Sequence, residues 1–244
     1  LSNFENLEET KFNSKKDIMA LQATDSPQGI IQLSGSIVNG NMVKINYNSL
    51  PGAHPKTLGY FVAIWQGNQI QGIDKAESTK LVSLEDQGGS ITFDDLNLAK
   101  LDYIIGFGVS STDGTSICAT LPVPKSATVG PLPSAFLSTL MVTEDSIGSD
   151  SLVASYVTPI YNRPKTNNNW IALFLGGFSA NMFSGTNVIK FTKATSDNNI
   201  GAIAMNDIPH KLVRFETYTL VYGTGLTGTN PNYGEIISYY TFTV

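Results

Sequence analysis

A single cysteine, Cys118, stands in 244 residues, so no disulfide can form within the chain and the inter-sheet bridge of antibody domains is excluded. Its setting, TSICATL, reads as a strand in which it serves as a small buried hydrophobe. Histidine is nearly as scarce: His54 and His210 sit far apart in turn-like sequence, so no HxH, HExxH or Cys/His ligand set can be written. Both read as exposed loop residues. The arginines are Arg163 and Arg214, and the net charge of −5 includes no basic field, which argues against a phosphate-tracking nucleic-acid surface. Charged residues are 14% of the chain, so the surface must be made largely of Ser, Thr, Asn, Gln and Gly. No apolar run reaches the length of a membrane-spanning helix. The opening LSNFENLEET has neither the regions of a signal peptide nor an initiator Met, and it reads as the start of a fragment or processed product. Despite many asparagines no N-x-S/T sequon occurs, which agrees with a bacterial source; the expected location is secreted or cell surface.

Catalytic signatures are missing as well. The doublets Glu85-Asp86, Asp94-Asp95 and Glu144-Asp145 lack the alternating spacing of a calcium loop, and neighbouring acids on a strand point to opposite faces, so each reads as a turn or strand end. The glycine-rich GTGLTGTNPNYG has no Lys-Ser/Thr pair and precedes no helix, so it reads as a hairpin loop and not a phosphate cradle. No catalytic residue, metal ligand or cofactor is assigned.

What the chain does contain is a repeat. Residues 47–67 return at 156–177: Tyr47 answers to Tyr156, Lys56-Thr57 to Lys165-Thr166, Ala63 to Ala172, Trp65 to Phe174 and Gly67 to Gly176, all 109 residues on. One spacing shared by several residue types implies two copies of one domain. Tyr103, Ile105 and Phe107 recur as Tyr218, Leu220 and Tyr222, now 115 residues on, so six extra residues are expected in loops of the second copy, as in GGFSANMFSGTN.

The texture from Gly29 is that of an all-β domain, with short apolar runs divided by Gly, Asn, Asp and Pro. Val43, Ile45 and Tyr47 alternate with polar residues, predicting a strand with one dry face. The Asn-Gly of VNGN predicts a tight hairpin turn. YFVAIW at 60–65 is apolar throughout and predicts a central strand covered on both faces. Further strands are expected near 70–73, 80–84, 90–93, 103–107 and 117–123, then near 137–142, 152–157, 170–175, 187–192, 200–205, 217–222 and 235–243. Four prolines in residues 122–133 predict an extended, stiff linker.

The expected fold is therefore all-β, with two tandem antiparallel β-sandwich domains. Residues 1–28 are a polar lead-in expected either to carry a short helix or to pack along the first domain, 29–124 the first domain, 125–133 the linker and 134–244 the second domain. Seven short strands with a central aromatic third strand and a Tyr opening the sixth resemble the immunoglobulin and fibronectin type III sandwich. NNNWIALFLGG is also similar to the third strand of SKICH-type and some phosphatase-associated Ig-like domains, although Ala172 and Leu173 depart from the Gly and Ile of that pattern. The resemblance implies a fold and carries over no functional residue.

In such a sandwich the loops after the second and sixth strands share one end. In the second copy they offer Tyr161, Asn162, Arg163, Lys165, Asn167, Asn168, Thr229, Asn230, Asn232 and Tyr233, a combination of stacking rings and directional hydrogen bonds suited to a sugar or a protein surface. The expected function is a non-enzymatic binding or adhesion module that recognises a glycan or protein surface through this tip. The alternatives are a hydrolase or accessory domain with carboxylates in the domain cleft, and a secreted, oligomerising structural or toxin component.

Overall fold

The computed structural model describes residues 28–110, 114–125 and 127–244; apart from Gln28, the expected lead-in lies outside them. The described chain is all-β. Its strands are β1 (Gln28–Ile30), β2 (Gln32–Asn39), β3 (Met42–Asn48), β4 (Phe61–Gln66), β5 (Ser78–Leu81), β6 (Gly88–Phe93), β7 (Tyr103–Gly108), β8 (Ile117–Val123), β9 (Gly130–Pro131) and β10 (Phe136–Leu137). They continue with β11 (Thr139–Val142), β12 (Leu152–Val157), β13 (Trp170–Leu175), β14 (Val188–Lys193), β15 (Ile200–Met205), β16 (Thr217–Gly223), β17 (Leu226–Thr227), β18 (Asn230–Pro231) and β19 (Ile236–Thr243). Antiparallel sheets run β6-β3-β2-β9 and β10-β8-β7-β4-β5 in the N-terminal half, and β11-β12-β15 and β1-β19-β16-β13-β14 in the C-terminal half; β17-β18 is a separate hairpin.

Burial follows the sequence pattern strand by strand. Along β3, Val43, Ile45 and Tyr47 are buried while Lys44, Asn46 and Asn48 are exposed, and the Gly40-Asn41 turn joins it to β2 where Asn39 pairs with Met42. β4 is dry on both faces, as its unbroken apolar run predicts. Val62 and Ile64 enter the main core, whereas Phe61, Ala63 and Trp65 form an outer cluster with Ile104 and Ile117. The sheets of each half pack face to face, Tyr47 of β3 meeting Phe107 of β7 and Tyr156 of β12 meeting Tyr222 of β16, both at 5.4 Å between ring centroids.

Pairing register repeats with the sequence. Ala63 pairs with Gly106 and Ala172 with Val221, and the break in register that follows Phe107 on β7 recurs after Tyr222 on β16. The hydroxyl of Tyr103 accepts the Asn97 amide at 3.0 Å, and that of Tyr218 accepts the Val213 amide at 3.0 Å. The inserted residues of the C-terminal half are split. Leu81 and Lys193, 112 apart, pair with Phe61 and Trp170, 109 apart, so three enter before β14. The rest fall between β15 and Tyr218, in a segment where His210, Lys211 and Phe215 take positive φ.

One feature of the pairing crosses the halves. β1, which leads into the N-terminal half, pairs with β19 through Gly29 and Tyr239, while β10, which leads into the C-terminal half, pairs with β8 through Phe136 and Thr120. Each half thus completes a sheet edge of the other. The Gln28 amide adds a hydrogen bond to the Leu140 carbonyl at 2.6 Å.

Several expected elements are corrected. Residues 70–73 form no strand; the chain instead crosses the outer face of β4 and turns at Ile73–Lys75, where the Trp65 indole donates to the Gly72 carbonyl at 3.2 Å. The strand expected at 137–142 divides into β10 and β11, because the amide and hydroxyl of buried Ser138 both bond the Cys118 carbonyl and the chain changes sheets there. The strand expected at 80–84 is Ser78–Leu81. Within the proline-rich stretch, Pro122 lies inside β8, and Gly130 and Pro131 pair with Ile37 and Ser36 of β2. Cys118 is buried, and burial pushes its thiol well above the ordinary range; His54 and His210 are exposed.

Candidate functional site

The loop after β12 is built by local hydrogen bonds that also shape its N-terminal counterpart. Asn167 and Leu58 donate to the carbonyls of Arg163 and His54, and Asn169 and Tyr60 to those of Pro164 and Pro55. The left-handed position is Gly59 (φ 71°) in one half and Asn168 (φ 54°) in the other, asparagine being the side chain best able to adopt that conformation. The shared Lys-Thr explains itself here. The Thr166 amide and hydroxyl bond the Asp197 carboxylate at 2.8 and 2.9 Å, with Arg163 at 3.5 Å; Thr57 clasps Glu85 likewise, its hydroxyl at 2.6 Å. The Thr166 amide first, then its hydroxyl and Arg163, hold the Asp197 carboxyl below its usual value, and the Thr57 hydroxyl does most to lower Glu85.

The structure divides the residues expected at the tip into four groups. Asn162 and Asn167 are buried, their side-chain amides donating to the Ile117 and Thr115 carbonyls of the N-terminal half at 3.0 and 3.1 Å. Asn232 and Tyr233 face inward. The Asn232 side chain bonds Glu235 at 2.6 Å, and the Tyr233 ring meets Trp170 and Phe174 edge-on at 5.3 and 6.1 Å; burial raises its phenol pKa. Arg163, Lys165, Asn168, Thr229 and Asn230 are exposed. Expected to share one open face, Asn162 and Asn167 are instead anchors that tie the loop to the opposite half, because backbone carbonyls of the N-terminal half accept their side-chain amides.

Tyr161 belongs to a different surface. Its hydroxyl donates to the Asn68 carbonyl of the N-terminal half, and its ring packs beside the outer cluster of β4. Here a pocket of about 460 Å³ opens at the seam, walled by Ile104, Pro122, Pro124, Phe136, Ile160 and Tyr161, with Asn68, Asp102 and Thr120 also lining it. Phe136 and Ile160 stand on its rim, 65% and 72% exposed. Pairing of β10 with β8 fixes Phe136, and the Asn199 side chain holds Ile160 in place by bonding the Pro159 and Asn162 carbonyls at 2.6 and 2.8 Å. The Asp102 carboxylate accepts the Lys125 amide at 2.9 Å.

The chemistry of this pocket is mainly apolar contact with a few directional groups, the composition of a binding site. Sequence reasoning found Tyr161 but missed Phe136, Ile160, Ile104 and Asn68, which come from four separate segments. The one local signal was Phe136 itself, a large ring in polar, proline-rich PLPSAFLS. Among the described residues no group of three His, Cys, Asp or Glu is placed to hold a metal ion, and no helix is long and apolar enough to cross a membrane. No protein-family model matches the chain, and no curated protein sequence matches it significantly.

Proposed function

We propose that the chain is a non-enzymatic binding module made of two tandem immunoglobulin-like β-sandwiches, residues 29–124 and 134–244, joined by the proline-rich 125–133. Its ligand, a ring-sized group presented by a glycan or protein surface, enters the seam pocket. The repeated register and the paired tyrosine hydrogen bonds support the domain reading, since a Tyr opening the sixth strand and bonding back to the chain marks this type of sandwich. The observation that carries the functional reading is the exposed pair Phe136 and Ile160 at the mouth of an apolar pocket. Large apolar side chains grouped at a concavity mark a binding surface where scattered ones do not. Asp102 is the one carboxylate among the described lining residues, which favours binding over a mechanism that needs paired carboxylates.

The test is a ligand screen by NMR on the intact chain, including methyl glycosides and short peptides, with a glycan array alongside. Hits should perturb Ile104, Phe136 and Tyr161 and weaken at least tenfold in Ile160→Ser/Tyr161→Ala. Ligands that instead perturb Arg163, Lys165, Asn168 and Asn230 would move the site to the exposed tip.

A further inference from the structure

The repeat lets one half of the molecule report on the other. Register equates Thr120 with Tyr239, because each pairs with the same position of the neighbouring strand, Gly106 on β7 and Val221 on β16. By the same reasoning Phe136 of β10 takes the place of Gly29 of β1, each lying directly across from these residues. The spacing of 109 equates Asn68 with Gly177 and Tyr161 with Gly52. The counterpart of the seam pocket in the C-terminal half is therefore the ground around Tyr239, Gly177 and Gly52.

That ground is filled by the chain's own aromatic ring. Phe178, two residues past the left-handed Gly176, lies flat on Tyr239 with centroids 3.8 Å apart and planes 6° from parallel. The turn that follows it brings Ala180 against Gly52, so close that a Cβ on Gly52 would stand 2.6 Å from the Ala180 Cβ. In the N-terminal half the residue two past the left-handed Gly67 is Gln69, which is exposed. There the aromatic platform comes from the opposite strand as Phe136, and no side chain of the loop lies on it in the way Phe178 lies on Tyr239.

Resting on the seam as the binding site, we propose that the pocket takes a planar aromatic ring, stacked against Phe136 as Phe178 is stacked against Tyr239. The walls suit this choice. Ile104, Pro122 and Ile160 offer apolar contact to the faces and edges of a ring, and the Asp102 carboxylate offers an acceptor to a phenol or indole donor at the rim. A volume of about 460 Å³ is in the range of small-ligand sites. The same ring chemistry is found in a free aromatic compound and in a tyrosine side chain on a peptide.

The test titrates phenol, N-acetyltyrosinamide and cyclohexanol into the intact protein and follows NMR shifts. Phenol and the tyrosine derivative should bind saturably, with cyclohexanol roughly three- to tenfold weaker, the advantage a stacked aromatic pair holds over an apolar group of similar size. The tighter of the two aromatic probes identifies the source of the ring. Phe136→Ala should weaken aromatic binding at least fivefold. Gln69→Phe, at an exposed position outside the pocket lining, should block it by supplying the ring that Phe178 supplies in the other half, and it serves as the deciding variant where Phe136→Ala fails to fold. Cyclohexanol binding as tightly as phenol at a Phe136-dependent site, or methyl glycosides binding there alone, would overturn the aromatic assignment and leave the binding pocket standing. Unaltered phenol binding in Gln69→Phe would also overturn it. No saturable binding of any probe or glycoside would overturn both readings.

Discussion

At the scale of single residues, the two tryptophans and the two carboxylate clasps make the strongest claims. Trp170 is fully buried, and its indole donates to the Thr224 and Gly225 carbonyls at 3.0 and 2.9 Å. Trp170→Ala removes the contacts, leaves a cavity beside Tyr233 and takes the indole donor away from two carbonyls, so it should cost about 3–5 kcal/mol, read as a lower denaturant midpoint. The clasps predict a pH effect. Folding lowers the pKa of Glu85 and Asp197 from ordinary values of 4.5 and 3.8, so the unfolded chain holds these protons to higher pH than the folded one. Their contribution to stability is complete above the ordinary values and is lost as pH falls through the lowered folded ones. The melting temperature should therefore drop more steeply below about pH 4.5 in the parent than in a Glu85→Gln/Asp197→Asn variant, and equal slopes would remove the clasps from the account.

At the scale of elements, the short strands β1 and β10 do more than their length suggests. Each covers an edge of a sheet whose other members come from the opposite half, and an uncovered edge is a template for unwanted pairing. Gly29 is needed at its position for a specific reason: a Cβ there would fall 2.0 Å from the Tyr239 ring. Gly29→Val is expected to push Tyr239 out of its stack with Phe178 and to cost roughly 1–3 kcal/mol, the usual penalty for overpacking. Aromatic NMR shifts of Tyr239 and Phe178 would report the lost stack directly. A variant with parental shifts and stability would mean that β1 can lift away from β19 without consequence.

At the scale of the whole molecule, most buried apolar residues of both halves belong to one continuous cluster that runs from Ile31 to Ile237, with the outer cluster around Trp65 standing apart from it. Polar bonds also cross the seam, including Asn162 to Ile117, Asn167 to Thr115 and the Tyr60 hydroxyl to the Gly234 carbonyl at 3.4 Å. The intact chain should consequently unfold in a single calorimetric transition, with van't Hoff and calorimetric enthalpies in agreement. Residues 134–244 expressed alone lose β1 and leave Asn162 and Asn167 without their acceptors, so that fragment should melt well below the intact chain. Two resolved transitions, one matching the isolated fragment, would show that the halves are energetically independent.

How much of this was legible beforehand depends on how far each determinant reaches along the chain. Alternation in β3, the apolar run of β4, the Asn39-Gly40 signal for the turn between β2 and β3 and the spacing of Lys56-Thr57 and Lys165-Thr166 are local patterns, and burial and turn geometry act on them through neighbours a few residues away. The sequence by itself therefore determined an all-β chain, its strand periodicity, the repeat and the burial of Trp65, Trp170 and Cys118. The exchange of β1 and β10 was decided only in three dimensions, since backbone hydrogen bonds are nearly indifferent to side chains and any extended segment can complete an open edge. So was the fate of the asparagines: Asn162 in YNRP and Asn167 and Asn168 in TNNN look alike as loop residues, yet carbonyls of the opposite half accept from the first two and the third faces outward. The pocket is the extreme case. Phe136, Ile160, Ile104 and Asn68 lie on segments far apart in the chain, and only the packing of one half against the other makes a single concave surface of them.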